Sequence, residues 1–343
     1  MIDPLVPRGH FPTAGNVRNN VLSRIFRWTL SLADSRPGLN ILLFHRVLAV
    51  ADPFRSSDLT AAQFAAIIAN LARNFSVLPL EEGIERLRNN SLPQAALSIS
   101  FDDGYRDNLE VAAPILAAQG LRATFFIATG FLDGGWMWND RIIEACKRTH
   151  CASTSLSSLG FESIDLGTER ARVAAAHALI DKVKYLPFEQ RDATVAQLES
   201  ALEVRLDRGP MLDADGLRRL RGQGMTIGAH TVAHPILTEI DDARARAEIN
   251  DGRDHLVDIL REPIRLFAYP NGRPGRDYQP KHVDLVAQAG FYAAVSTSPL
   301  TARPGMSHYE LPRFTPWDRT GWRFAARLAV NRMLNDGQPA AAA

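Results

Sequence analysis

The stretch LSISFDDG, residues 97–104, is the most informative part of this 343-residue chain. An apolar run with the composition of a buried strand leads directly into Asp102, Asp103 and Gly104. Burying carboxylates beside an apolar strand costs free energy unless they are solvated, paired or bound to a metal. Because adjacent side chains project differently, one aspartate can bind a metal while the other stays free as a base. The simpler alternative is a polar turn in which an aspartate caps the next helix.

Short apolar strand patterns alternate with longer helical patterns on both sides of this stretch, which favours an α/β architecture. In barrels built from such units, catalytic groups gather at the carboxyl ends of the strands. We therefore expect the polar residues that follow the strands to lie close together. The predicted strands cover 39–44, 97–101, 122–127, 225–228, 265–268 and 291–295, and the predicted helices cover 61–74, 80–89, 108–119, 214–221, 241–260 and 281–289.

Residues 133–213 interrupt this alternation. They contain a Trp-containing turn (GGWMWND), a Ser/Thr-rich patch, helical patterns at 168–184 and 188–203, and a weak strand pattern at 161–166. We interpret the segment as an α-rich insertion that forms one wall of a substrate groove in a barrel spanning 37–320. Residues 321–343 are predicted to form a C-terminal helix and a disordered tail.

The N-terminal region is interpreted separately. Residues 1–10 include a run that resembles an engineered thrombin site, and we treat them as a tag. Residues 11–36 are predicted to contain an amphipathic helix, because the stretch 17–33 is amphipathic and basic. Such a helix would make peripheral contact with a membrane surface or, as the simpler alternative, pack on its own domain.

The composition is that of an ordinary globular protein, with 46% hydrophobic residues and a net charge of +1. This charge gives no reason to expect a nucleic-acid partner, because phosphate binding needs concentrated positive charge. The sequence has no signal-peptide core and no apolar run long enough to span a membrane. We interpret Cys146 and Cys151 as reduced thiols without a role. These features predict a cytoplasmic protein, at the membrane face if the N-terminal helix binds there, unless an export signal has been removed.

A second polar cluster, HTVAHP at 230–235, follows the predicted strand at 225–228. Histidines at positions i and i+4 share a helical face and can bind one cation, although an isolated HxxxH pattern is usually a coincidence. The strand before it and the aspartate pair elsewhere favour a metal site. Asp103, His230 and His234 would form a two-histidine, one-carboxylate site with positions open for water and substrate.

Two further strand ends carry weaker signals. FAYPNG, residues 267–272, is either a simple tight turn or a turn whose backbone N–H groups bind a developing oxyanion. His45 follows the predicted strand at 39–44. A solitary histidine there is more often structural than catalytic, so its interpretation depends on the other clusters.

Taken together, SFDDG, HTVAHP and FAYPNG resemble the three main motifs of the polysaccharide deacetylases with NodB homology, the family 4 carbohydrate esterases. The resemblance covers about residues 39–313, apart from the insertion. It implies a distorted, incomplete (β/α) barrel that binds a divalent metal. Zinc is the expected metal, with Ni²⁺, Co²⁺, Fe²⁺ or Mn²⁺ as alternatives.

The same resemblance implies roles for individual residues. Asp102 would be the catalytic base, and Asp103, His230 and His234 would be the metal ligands. The backbone N–H of Asn271 would bind the oxyanion.

This chain departs from the family pattern at two points. Ala268 stands where an arginine usually orients the base, and the usual C-terminal histidine motif is not visible. Both departures are similar to the poly-N-acetylglucosamine deacetylase-like subgroup, in which a histidine near the N-terminus takes the catalytic role, and His45 fits that arrangement. Either Arg313 or Arg265 would replace the missing arginine.

The resulting hypothesis is metal-dependent hydrolysis of the N-acetyl group of an amino sugar in a polysaccharide or its precursor. Asp102 would accept a proton from water and His45 would protonate the departing amine. Trp136, Trp138 and Trp317 are either platforms for sugar rings or packing residues. Deformylation of a lipid-linked sugar, or hydrolysis of a small amide, would use the same chemistry. A non-catalytic carbohydrate-binding protein is the alternative from another class, but it predicts loss of polar clusters that this sequence retains.

Overall fold

A computed structural model describes residues 37–157 and 160–334. The predicted tag, the predicted N-terminal helix and the predicted C-terminal tail beyond residue 334 lie outside these described residues. None of the helices in the described ranges is both long and apolar enough to cross a membrane.

The centre of the molecule is a sheet of parallel strands that curls into a half-barrel. The strands are β1 (Asn40–Phe44), β2 (Val47–Leu48), β3 (Leu59–Thr60), β4 (Ser76–Val77), β5 (Ala96–Phe101), β6 (Thr124–Ile127), β7 (Ser153–Leu156), β8 (Phe161–Asp165), β9 (Thr226–Ala229), β10 (Leu266–Ala268) and β11 (Ala293–Val295). The central sheet has the order β1–β5–β6–β9–β10–β11, and β4 pairs with β5. β5 and β6 are buried along their whole length, as expected of parallel strands covered on both faces.

Helices surround this sheet. They are α1 (Ala61–Asn74), α2 (Leu80–Arg88), α3 (Ala113–Ala117), α4 (Trp138–Arg148), α5 (Glu169–Val183), α6 (Phe188–Ala201), α7 (Ala214–Gly222), α8 (Asp242–Leu260), α9 (Pro280–Gln288) and α10 (Gly321–Leu334). In α1, Thr60 and Gln63 form a capping box that satisfies the first backbone N–H groups. Its apolar face, with Phe64, Ile67 and Leu71, is buried in the main core.

An irregular segment, residues 311–315, lies between β11 and β1 and fills the gap in the barrel. The backbone N–H of Ser296 donates to the carbonyl of Leu311 over 2.8 Å, just after β11. On the other side, the N–H of Phe314 donates to the carbonyl of Ile41 in β1 over 2.9 Å. The segment is therefore tied to both edge strands, and its side chains can enter the barrel interior.

The structure confirms the α/β fold, with strand and helix bounds that differ at several ends and in one helix. The helix predicted at 108–119 starts as a π-helix, Asn108–Ala112, before α3. The N–H of Ala113 donates to the carbonyl of Asn108, five residues back. Pro114 has no N–H to donate, so the regular i→i−4 ladder is interrupted at this point.

The segment 133–213 also holds elements that the sequence did not indicate. Helix α4 begins inside the stretch predicted as a Trp-containing turn, and β7 lies in the Ser/Thr-rich patch, where it pairs antiparallel with β8. Ile142, Ile143 and Cys146 of α4 pack with α5 and α6 in a small core of their own. Tertiary packing therefore overrides the polar start of α4. Helices α5 and α6 lie where helical patterns were predicted.

Candidate active site

The polar residues that follow the strands line one cleft of about 410 Å³. Asp102 and Asp103 follow β5, His230 follows β9, Asn271 follows β10 and His45 follows β1, and all five face this cleft. Parallel strands bring their carboxyl ends to the same edge of a barrel, so residues far apart in sequence meet there. The segment 133–213 supplies another part of the lining, through Met137, Trp138, Asn139, Ile180, Lys184 and Tyr185.

Asp102 forms a buried, two-point ion pair with Arg313. The Nη1 and Nη2 atoms of Arg313 donate to Oδ1 and Oδ2 of Asp102, each over 2.7 Å. Nε of the arginine donates to the carbonyl of Ser296 over 3.0 Å, and Nη1 also donates to Oγ of Ser100 over 3.2 Å. The planar guanidinium thus has a fixed orientation and holds the carboxylate in one position. Arg265, the other arginine considered from the sequence, lies elsewhere and pairs with Glu81.

This pairing decides the protonation state of Asp102. Burial alone would raise the pKa of its carboxyl, because a charge is poorly solvated inside the protein. The positive charge of Arg313 and the neighbouring His230 outweigh burial and lower the pKa to about 2. Asp102 is therefore ionised at neutral pH.

Asp103, His230 and His234 form a compact cluster beside Asp102. Oδ1 of Asp103 lies 3.7 Å from Nε2 of His230 and 3.5 Å from Nε2 of His234, and ligand atoms of the three residues lie within 4.8 Å of one another. Atoms that bind one tetrahedral cation at about 2.1 Å are about 3.4 Å apart. The spacing and the nitrogen and oxygen donors therefore fit a divalent metal such as zinc.

The protonation states of this cluster also fit a cation. Burial raises the pKa of Asp103 to about 7, against the opposing effect of His230 and with a further increase from Asp102. Burial lowers the pKa of His234 well below its ordinary value, and the charges of His230 and Arg191 lower it further. His234 is therefore neutral, the form of imidazole that binds metals, and a cation would favour the ionised form of the buried Asp103 carboxyl.

The backbone at these positions adopts uncommon conformations. Asp103, Thr231, His234 and Asn271 have φ angles of 77°, 65°, 52° and 55°. Positive φ is unfavourable for residues other than glycine and especially for a β-branched residue such as Thr231. Such conformations persist only where contacts with the surrounding protein enforce them. The fold therefore holds these residues in place at a cost in folding free energy.

Groups that the sequence did not indicate orient the two histidines. Nδ1 of His230 lies 2.7 Å from the carbonyl of Ala268, which directs Nε2 towards the cluster. The buried carboxylate of Glu248, on α8, accepts hydrogen bonds from the N–H groups of Val232 and Ala233 over 2.9 and 2.8 Å. Glu248 thus holds the loop between the histidines. No local motif marks it, since it lies in an ordinary amphipathic helix.

His45 lies at the same cleft but outside the cluster. Its side chain is accessible from the cleft, while the surrounding protein still removes much of its solvation. Burial lowers its pKa, the negative charge of Asp102 opposes this, and the positive charge of Arg313 lowers it again. A smaller fraction of His45 is therefore protonated at neutral pH than of a free histidine.

Asn271 occupies the turn after β10. Its carbonyl accepts a hydrogen bond from Oγ1 of Thr297 over 2.6 Å, which fixes the turn. Within residues 37–157 and 160–334, no acceptor pairs with the backbone N–H of Asn271. A donor at the edge of the cleft is therefore left for a bound molecule.

A sequence model of the polysaccharide deacetylases matches residues 89–294, more than half of the chain. The chain belongs to the polysaccharide deacetylase family. The protein is therefore a hydrolase that acts on C–N bonds. Membership of the family also supports N-deacetylation of a polysaccharide. No curated protein sequence matches the chain.

Several solved structures share the fold of this deacetylase-family protein. A Streptococcus pyogenes deacetylase, PplD, in complex with acetate is 18% identical with a TM-score of 0.57, and the alignment covers 86% of this chain and 98% of that one. IcaB from Ammonifex degensii is 18% identical with a TM-score of 0.54, over 85% of this chain and 97% of that one. A de-N-acetylase from Aggregatibacter actinomycetemcomitans is 15% identical with a TM-score of 0.52, over 81% and 94%. These similarities establish a shared half-barrel fold.

Proposed function

We propose that the protein is a metal-dependent N-deacetylase, which hydrolyses the N-acetyl group of an amino sugar in a polysaccharide or its precursor. The observation that carries this proposal is the pair of adjacent aspartates with different surroundings. Asp102 is held ionised by Arg313, while Asp103 faces His230 and His234 at distances that suit a shared cation. The end of β5 thus supplies both the base, Asp102, and one of the three metal ligands, Asp103.

Asp103, His230 and His234 would hold the metal, and zinc suits this donor set best. A divalent cation at this position would supply positive charge that acidifies a water molecule and polarises the acetamide carbonyl. The three side chains leave one side of the cluster facing the cleft, so water and substrate can approach.

Asp102 would take the proton of the attacking water. Because its carboxylate is ionised and fixed by two hydrogen bonds from Arg313, it is a base of defined position. With a pKa of about 2 it is a weak base, so proton transfer to it would depend on a cation that acidifies the water. The N–H of Asn271 would donate a hydrogen bond to the oxygen that gains negative charge.

His45 would deliver a proton to the departing amine of the sugar. An amine leaves poorly unless it is protonated, so hydrolysis needs an acid beside the leaving group. His45 lines the cleft that also contains Asp102. Burial lowers its pKa more than the charge of Asp102 raises it, so the protonated fraction of His45 would be the form that acts. The names of two structural neighbours, a deacetylase with acetate and a de-N-acetylase, support acetyl as the group removed.

The test is a product assay with N-acetylated and N-formylated amino-sugar oligomers. We expect acetate release by the unchanged chain and a loss of about 10²- to 10⁴-fold in Asp102→Asn, the range typical of a missing general base. Asp192→Asn is the matched control, because Asp192 lies on the exposed side of α6 and should leave the rate unchanged. Formate release without acetate release would contradict the choice of acetyl, and equal rates in both variants would contradict the role of Asp102.

A further inference from the structure

A second cleft of about 430 Å³ adjoins the one that holds the proposed catalytic residues. Leu43, His45 and Thr297 line both clefts, so the two meet at the proposed acid. The second cleft runs from there over the irregular segment after Arg313 and reaches Trp317. A polymer that places one sugar beside Asp102 would extend past His45 into the cleft that Trp317 lines.

Trp317 is an exposed aromatic side chain that is held in a fixed orientation. The residue is 72% exposed, which is unusual for a large apolar side chain. The guanidinium of Arg327 lies 3.7 Å from the ring centroid, and Arg327 also forms an ion pair with Asp318. One face of the indole is thus covered by a fixed cation, and the remaining exposure leaves the ring available to a ligand.

The rest of the second cleft suits a sugar ring. Aromatic faces bind the apolar C–H face of a sugar, while a few polar groups around them bind its hydroxyls. Asp58 lines this cleft, and within the described ranges its carboxylate has no hydrogen-bonded partner. Arg319 lines the same cleft and is held by the carbonyl of Ser56. The cleft that Trp317 lines therefore also contains an acceptor and a donor group.

We propose that Trp317 and the cleft around it form a second sugar-binding subsite, which binds a ring of the glycan chain other than the ring that is deacetylated. The proposal rests on the proposed function, because it takes the substrate to be an N-acetylated glycan. It makes the protein selective for oligomers over single sugars. Trp317 is a binding residue in this account and takes no part in the hydrolysis.

The test measures the affinity of the full chain for N-acetylglucosamine and its linear oligomers up to the pentamer. The titrations contain EDTA, so that deacetylation does not consume the ligand. We expect affinity to increase with length, and Trp317→Ala to weaken binding of the longer oligomers about tenfold, the effect of one lost ring stack. Binding of the single sugar should not change.

Trp322→Ala is the matched control. Trp322 is 65% exposed and has a guanidinium, that of Arg323, 5.3 Å from its ring centroid, but it lines neither cleft. The Trp322→Ala variant should therefore bind every oligomer with the affinity of the unchanged chain. Equal losses in the two variants, or affinities that do not depend on length, would overturn the proposal. Length-dependent binding lost only in Trp317→Ala, in a chain that releases no acetate, would support the subsite and contradict the proposed hydrolysis.

Discussion

Asp102 and Asp103 are chemically identical neighbours that the fold gives different properties. The pKa of Asp102 is about 2 because Arg313 and His230 outweigh burial, whereas burial raises the pKa of Asp103 to about 7. The sequence indicates that both aspartates follow an apolar strand. It does not indicate which residue pairs with Asp102, because Arg313 lies 211 residues away. From the sequence, either Arg313 or Arg265 could be that partner.

The Asp102–Arg313 pair should show strong coupling in stability. Arg313→Met leaves a buried carboxylate without its partner, which costs about 3–5 kcal/mol of unfolding free energy. Asp102→Asn leaves the guanidinium unpaired in the same way. The double variant, which buries neither charge, should lose less than the sum of the single losses, with a coupling of about 0.5–3 kcal/mol. Urea unfolding of the four proteins measures this, and additive losses would show that the pair has no net interaction.

The pH dependence of the rate should reveal His45. A general acid acts in its protonated form, so its contribution falls as pH rises through its pKa. Because burial lowers that pKa from 6.5, kcat/KM at saturating metal should already decline with rising pH below 6.5. In His45→Ala, the rate should be low and this decline absent. A profile of unchanged shape in the variant would assign the decline to another group.

The strands that carry the site residues were predictable from the sequence, but the groups that orient those residues were not. Apolar runs followed by polar motifs located β1, β5, β9 and β10, because parallel strands expose their carboxyl ends at one edge. The orienting carboxylate comes from α8, whose sequence is that of an ordinary surface helix. Its role follows from packing: a Cβ on Gly252 of α8 would lie 2.8 Å from the carbonyl carbon of Thr231, so this helix closely contacts the loop between the histidines.

Glu248 should control metal affinity through that loop. In Glu248→Ala, the N–H groups of Val232 and Ala233 lose their acceptor, so His234 is held less firmly. Loss of an orienting group of this kind typically weakens metal binding roughly 10- to 100-fold. Titration with zinc in the presence of a competing chelator measures the change. Asp251→Ala, at an exposed position of the same helix, is the control and should bind like the unchanged chain.

In the whole molecule, the alternation of strands and helices predicted an α/β fold, and the family resemblance implied an incomplete barrel; the structure confirms both. Two features depend on long-range packing instead. Segment 311–315 has no regular strand pattern, yet it hydrogen-bonds to both edges of the sheet and delivers Arg313 to the interior. Likewise, α4 is stabilised by a separate core that the segment 133–213 forms together with Phe54, so its polar first turn misled the prediction.

The most direct test of the central claim is to remove bound metal with a chelator, then measure bound zinc and acetate release as zinc is added back. We expect close to one zinc per chain, with acetate release rising in proportion to it, and neither response in His234→Ala. His255→Ala, an exposed histidine on α8, should behave like the unchanged chain. Full acetate release by the metal-free protein would contradict a metal-dependent hydrolysis, and unchanged zinc binding in His234→Ala would contradict the proposed metal site.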